Sequence, residues 1–268
     1  AGLVYKNDGK HDLALQTFQE ALKIEPSNAM CIEAMGDIYL EAIQYKKAAQ
    51  HYFKAWEKGG FSEQRAFKLG NALSYDGKFV EAKDFYETII NRNPAFSEAL
   101  YKLVAVYCQT GDFKSARKCL AMFKNDGTPW MQLAQGLIFE IENNMDAAFV
   151  AYTIARRLAP KNTFVHSGFG RVYLKKNMVD SAIIELSAAA AADTLNMQLL
   201  IDLGNAFKGM GDSYSAYQYY LEVDKRYPEH KEVHLLMAQI KADEGKYNEA
   251  IRICEKGLKY HPSNADLY

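Results

Sequence analysis

The 268-residue chain predicts an all-α fold, a solenoid of stacked helix–turn–helix units, and three observations carry that prediction. Apolar residues recur at helical spacing in short segments, small residues return at a constant interval, and glycine or asparagine followed later by proline punctuates each segment. Glu63 to Phe96 shows all three. Ala66, Leu69, Gly70 and Leu73 form one apolar stripe, Asp76-Gly77-Lys78 breaks it, and Phe79, Ala82, Phe85, Tyr86 and Ile89 form a second. Gly77 suits the left-handed conformation that ends a helix. Pro94 has no N–H and stops the next one. One such helix pair has too little core to stand alone, so it needs neighbours of its own kind.

Those neighbours are present. Gly70 precedes Ala82 by 12 residues, and the same spacing separates Gly2 from Ala14, Gly36 from Ala48, Val104 from Ala116 and Gly136 from Ala148. It recurs from Gly170 to Ala182, Gly204 to Ala216 and Ala238 to Ala250. Successive alanines are 34 residues apart, except for 32 between Ala116 and Ala148. Eight alanines at one phase require one packing environment repeated along the chain.

The other columns keep the same beat. Large aromatics in the first helices are Tyr5, Tyr39, Tyr107, Phe139, Tyr173 and Phe207, with Leu73 and Lys241 as departures. The second helices carry Phe18, Tyr52, Tyr86, Tyr152 and Tyr220, with Leu120, Leu186 and Cys254 departing. Terminating prolines are Pro26, Pro94, Pro160, Pro228 and Pro262. The turn column reads Gly9, Gly77, Gly111, Asn143, Asn177, Gly211 and Gly245, and Asn tolerates positive φ next best. Ile43 falls in that column and predicts a differently shaped turn. This pattern resembles the tetratricopeptide repeat family over essentially the whole chain. The resemblance implies a right-handed superhelix whose first helices line a concave groove that holds an extended peptide or a partner helix. Such a fold hosts unrelated functions, so the groove residues must carry the argument.

In order, residues 1–28 form a partial repeat that begins inside its first helix, followed by repeats 29–62 and 63–96. Residues 97–128 make a shortened repeat ending in Asn125-Asp126-Gly127, which predicts a local change of superhelical angle. Repeats 129–162, 163–196, 197–230 and 231–264 follow, and residues 265–268 open another. Pro129 suits a first helical turn. The alanine run from Ala188 to Ala192 reflects helix propensity more than a packing seam. The whole is one array, since each repeat contacts only its neighbours. Both ends stop within a unit and no polar capping helix is visible, which predicts a segment of a longer array or ends covered by a partner or by a second copy.

Composition excludes several classes. Net charge is −1, so no bulk basic field calls for nucleic acid. No apolar run of about 18 residues suggests membrane insertion, and no signal peptide is visible. Cys31, Cys108, Cys119 and Cys254 are scattered without a CxxC, as expected of reduced, buried thiols in a cytoplasmic protein. His230 and His234 are four apart, which is metal-like spacing. Without the HExxH arrangement or further ligands they read as two surface histidines at a helix start. No phosphate loop, nucleophilic triad, cofactor site or metal site emerges, so the expectation is a non-enzyme.

Helical phase assigns the groove. Glu33, Asp37 and Glu41 form an acidic patch, followed by Phe67, Asn71, Tyr75, Tyr101, Lys102 and Gln109. Trp130, Leu133 and Leu137 make an apolar strip, an exposed surface of the kind that marks contact. Arg171, Lys175, Asn205 and Lys208 add a basic stretch. The expected ligand is therefore a protein segment with a basic end, an apolar middle and an acidic end. The clamp of Lys, Asn, Asn, Lys and Arg by which related co-chaperones hold a carboxylate terminus is rejected. Glu33, Asp37, Lys68, Glu98 and Lys102 stand in its place, and Ser167, Arg171, Asp202, Glu232 and Leu236 do no better. The asparagine ladder of sugar transferases is unsupported, because Asn71 and Asn205 are isolated. The reading is a protein-interaction scaffold; the alternatives are a regulatory or targeting segment of a larger enzyme and a structural subunit of an oligomer.

Overall fold

The computed structural model describes residues 1–123, 127–230, 232–262 and 264–267. They form sixteen α-helices and one 3-10 turn, with no strand among the described residues. Contacts divide the chain into two compact units, Ala1–Leu158 and Ala159–Tyr268. The first holds α1 (Gly2–Asn7) and α2 (His11–Ile24), α3 (Ala29–Glu41) and α4 (Tyr45–Gly59), and α5 (Glu63–Tyr75) and α6 (Phe79–Arg92). It continues with α7 (Ser97–Gln109) and α8 (Phe113–Leu120), then α9 (Trp130–Ile141) and α10 (Met145–Leu158). The second holds α11 (Thr163–Lys175) and α12 (Val179–Ala192), and α13 (Met197–Gly209) and α14 (Ser213–Arg226). It closes with α15 (Val233–Asp243), α16 (Tyr247–Tyr260) and the turn Ala265–Leu267. Among the described residues, no helix is long and apolar enough to cross a membrane.

Local chemistry sets the boundaries. Asn28 caps α3 by accepting from the Cys31 N–H at 3.1 Å, and Asp112 caps α8 by accepting from Ser115. Between the helices of a pair, one residue at positive φ turns the chain, as at Gly77 (φ 74°) and Asn143 (φ 57°). Lys78 then donates to the Leu73 carbonyl at 2.8 Å. The different turn expected at Ile43 is not found. Its φ is 59°, and Gln44 donates to the Tyr39 carbonyl at 2.8 Å, the same closure as at Gly77. A β-branched residue there costs about 1–2 kcal/mol. The Ile43 side chain is buried, and that burial supplies a gain of similar size.

All eight column alanines are buried, and in the six pairs that begin with glycine the helices approach closely at that glycine. A Cβ added at Gly36 would lie 2.7 Å from the Tyr52 ring, at Gly70 2.7 Å from Tyr86, and at Gly136 2.4 Å from Tyr152. Gly204 stands in the same relation to Tyr220, and Gly170 to Leu186. The two helices of a pair thus close until an aromatic ring rests on bare backbone. Rings at Tyr52, Tyr86, Tyr152 and Tyr220 are among the largest fully buried side chains.

The shortened repeat is visible in α8, which has 8 residues where α6 and α10 have 14. Asn125 and Asp126 lie outside the described residues. With α8 so short, α9 packs more closely on α7 than on α8.

The Gly70→Ala variant should lose about 1–3 kcal/mol in urea unfolding, because the new methyl group collides with Tyr86. Gly209→Ala, where nothing lies within 4 Å of the added carbon, should instead be neutral or gain up to about 1 kcal/mol from helix propensity.

Candidate functional site

The exposed face of the first helices begins with a tie to the core. Tyr52 donates its hydroxyl to Asp37 Oδ1 at 2.8 Å, Tyr86 to Asn71 Oδ1 at 2.7 Å, and Tyr220 to Asn205 Oδ1 at 2.7 Å. Each pair is 15 residues apart. The rings are buried, so each hydroxyl needs an acceptor. Burial raises these phenols well above their usual value, with Tyr220 reaching about 12, and keeps them neutral donors. Asn71 and Asn205 are therefore not stray asparagines but acceptors in one recurring bond. At the matching position of α9 stands Leu137, and Tyr152 turns to Glu140 instead.

The acidic patch expected from Glu33, Asp37 and Glu41 is corrected by the structure, because neighbouring helices bring cations to it. Asp37 takes Lys6 Nζ from α1 at 2.8 Å and Lys68 Nζ from α5 at 2.9 Å. Lys68 also reaches Glu33 Oε1 at 2.9 Å, and Arg65 donates to Glu33 Oε2 at 3.1 Å. His11 lies 3.1 Å from Glu41. Burial works to raise the Asp37 carboxyl, but hydrogen bonds from Lys6, Lys68 and Tyr52 outweigh it and hold it below its ordinary value. This stretch is a balanced ladder of charges, with little net field.

The aromatic stretch is partly as expected. Phe67 packs its ring on Phe96 at 5.1 Å, Lys102 Nζ sits 6.0 Å above Tyr75, and Phe67, Asn71, Tyr75 and Lys102 are each partly exposed. Tyr101 and Leu133 are corrected. Tyr101 is 5% exposed and Leu133 0%, so neither offers surface. Leu133 lies three residues before Gly136, and the residues at the same place before Gly170 and Gly204, Ser167 and Ile201, are buried too. Trp130, whose ring lies 5.6 Å from that of Tyr101, and Leu137 remain partly exposed.

Arg171, Lys175, Asn205 and Lys208 belong to the second unit. Arg171 Nη1 donates to Ser167 Oγ at 2.6 Å, and Lys208 Nζ to Gln239 Oε1 at 3.3 Å, while Lys175 is exposed.

The two histidines do not share a helix face, because His230 precedes α15. Nor is His234 at the surface: it is 1% exposed and stacks on Tyr260 at 6.0 Å. Its Nε2 lies 3.1 Å from Asp224 Oδ1 but off the line of a hydrogen bond, and neither ring nitrogen has such a partner. Lys256 grips both Asp224 oxygens, at 2.7 and 2.6 Å. Burial, reinforced by Lys256, lowers the His234 imidazole below its usual value against the pull of Asp224. Among the described residues, no three His, Cys, Asp or Glu side chains converge on a metal position. All four cysteines are free thiols, but only Cys119 is fully buried, a correction to the expectation for the other three.

Asp37→Ala should cost about 1–2 kcal/mol in chemical unfolding, by stranding Tyr52 and two lysines. Because Asp37 titrates lower in the fold than in the unfolded chain, the stability it supplies is present above about pH 4 and fades as pH falls through its folded value. His234 has the opposite charge behaviour: its lowered value means the unfolded chain binds the proton first. Thermal midpoints should therefore drop between pH 7.5 and 5, below about 6.5 where the free imidazole titrates, and His234→Gln should flatten that slope.

With this geometry in hand, the chain compares well with known proteins. A family model described as "Tetratricopeptide repeat" matches residues 73–136, and a second of the same description matches 1–28 and 232–264. Superkiller complex protein 3 of Homo sapiens is 32% identical over 99 residues, covering 37% of this chain and 6% of that protein. BBSome complex member BBS4 of Bos taurus is 22% identical over 232 residues, covering 86% of this chain and 44% of that one. Among solved structures, the anaphase-promoting-complex hetero-tetramer Cut9–Hcn1 superposes with a TM-score of 0.60 at 15% identity, covering 96% of this chain and 51% of that one. The chain thus spans less than half the length of either curated relative. The helix pairs, their glycine-on-ring contacts and the matching family models lead to one conclusion: this chain carries tetratricopeptide repeats.

Proposed function

We propose that the chain is a non-catalytic protein-interaction scaffold, and that the first-helix face of Ala1–Leu158 receives a peptide or helix of a partner protein. The observation that carries this reading is Asn71. Its Oδ1 is fixed by Tyr86, which leaves Nδ2 to donate outward. Phe67 and Tyr75 flank it one turn away on either side, and Lys102 stands over Tyr75. A fixed amide donor framed by aromatic rings and a cation suits a peptide backbone with an acidic or carbonyl-rich segment. Trp130 and Leu137 extend the same face with apolar surface. The relatives are named as members of the superkiller complex and the BBSome, which supports a protein partner within a multisubunit assembly. In the second unit, Arg171, Lys175, Asn205 and Lys208 are the proposed contact residues.

A capture experiment with the 268-residue chain tests this. Asn71→Ala combined with Lys102→Glu should cut recovery of the partner about tenfold or more while helicity is kept. Lys114→Glu on α8, away from this face, should leave recovery unchanged. Equal recovery by all three proteins would sink the reading.

A further inference from the structure

A second surface of the first unit lies between α2 and α4, away from the first-helix face. There the chain leaves a groove of about 330 Å³. On its α2–α3 side the lining is Leu22, half-buried, beside Ile32 and Met35, which are 1% and 5% exposed. One wall is His51 and Lys54 of α4, and Lys47 and Lys58 continue that side of the helix as one stripe, since the spacing runs four, three and four residues. The other wall holds Gln19 and Lys23. The stripe is anchored to α3: the His51 ring lies 4.7 Å from that of Tyr39, and Lys47 Nζ is 5.5 Å above the same ring.

The charges of this groove are unspent. Among the described residues, Lys23, Lys47, Lys54 and Lys58 have no ion-pair partner, in contrast to Lys6 and Lys68 on the other face. Glu25, the closest acid in the chain to Lys23, is engaged with Asn28 instead. His51 Nδ1 pairs with the Lys47 carbonyl at 2.9 Å, so Nε2 is its remaining polar atom. At the ends of the α2–α3 connection, Ile24 and Met30 are 88% and 74% exposed.

An apolar trough with cations along its wall is complementary to a chain segment that carries bulky apolar side chains on one side and carboxylates on the other. A nucleic-acid backbone would meet the lysines but leave the half-buried Leu22 without an apolar contact. We propose that the groove between α2 and α4 is a second docking surface, for an acidic amphipathic segment of a partner protein. It is independent of the reading given above, because none of its residues belongs to the first-helix face.

The probe is a fluorescent synthetic helix of about 12 residues, long enough to follow the stripe at 1.5 Å per residue. It carries Leu on one face and Glu on the other, and its anisotropy is read against the whole chain. Binding should weaken as salt rises. The triple charge reversal Lys47→Glu, Lys54→Glu, Lys58→Glu should lower affinity about tenfold or more. All three side chains are exposed, so circular dichroism should show the fold retained. Gln19→Trp, which fills the trough without altering charge, should also weaken binding, whereas Asn71→Ala with Lys102→Glu should not. The proposal is overturned if the triple variant binds within about twofold of the parent. It is equally overturned if a Lys-for-Glu peptide binds as well, or if single-stranded oligonucleotide or phosphatidylserine vesicles bind in a triple-sensitive manner while the peptide does not.

Discussion

The close approach of a tyrosine ring to a glycine backbone is the contact on which this structure depends. It is made between Gly36 and Tyr52, Gly70 and Tyr86, Gly136 and Tyr152, and Gly204 and Tyr220. It sets how near the two helices of a pair come. That spacing in turn buries the alanine twelve residues on and brings the tyrosine hydroxyl up to the far side of the first helix. Packing of this density resists even one added methyl group. The pairs are therefore stiff units, and the surfaces they carry inherit that stiffness.

Where the pattern is shortened, the packing changes accordingly. An α8 of 8 residues cannot separate its neighbours as the longer second helices do. There α9 beds on α7 more than on α8. Length of one helix thus decides which neighbour the next one packs against.

The sequence revealed the helix pairs, their turns and their small-residue columns, because each follows from steric rules that act locally. Ile43 escaped that reading. Local preference argues against a β-branched residue at positive φ, and only its burial overrides the preference. The charge balance of the first helices was not legible. Glu33, Asp37 and Glu41 look acidic along one helix, and their neutralising partners lie on other helices. A signal was available: Lys6 and Lys68 each stand 31 residues from Asp37, three short of the repeat length, which is the offset between facing positions on successive first helices. His234 was misread because the four-residue spacing from His230 assumes a helix that starts only at Val233.

The tyrosine tie restricts how such a surface can change. At the position held by Asp37, Asn71 and Asn205, one oxygen is already committed to the interior. Exchange there is confined to side chains that keep an acceptor, unless a nearby group such as Glu140 takes over the duty. Diversification toward new ligands then falls to the positions one turn before and after. Each of these first helices holds one fixed polar position and leaves its flanking rows freer to vary.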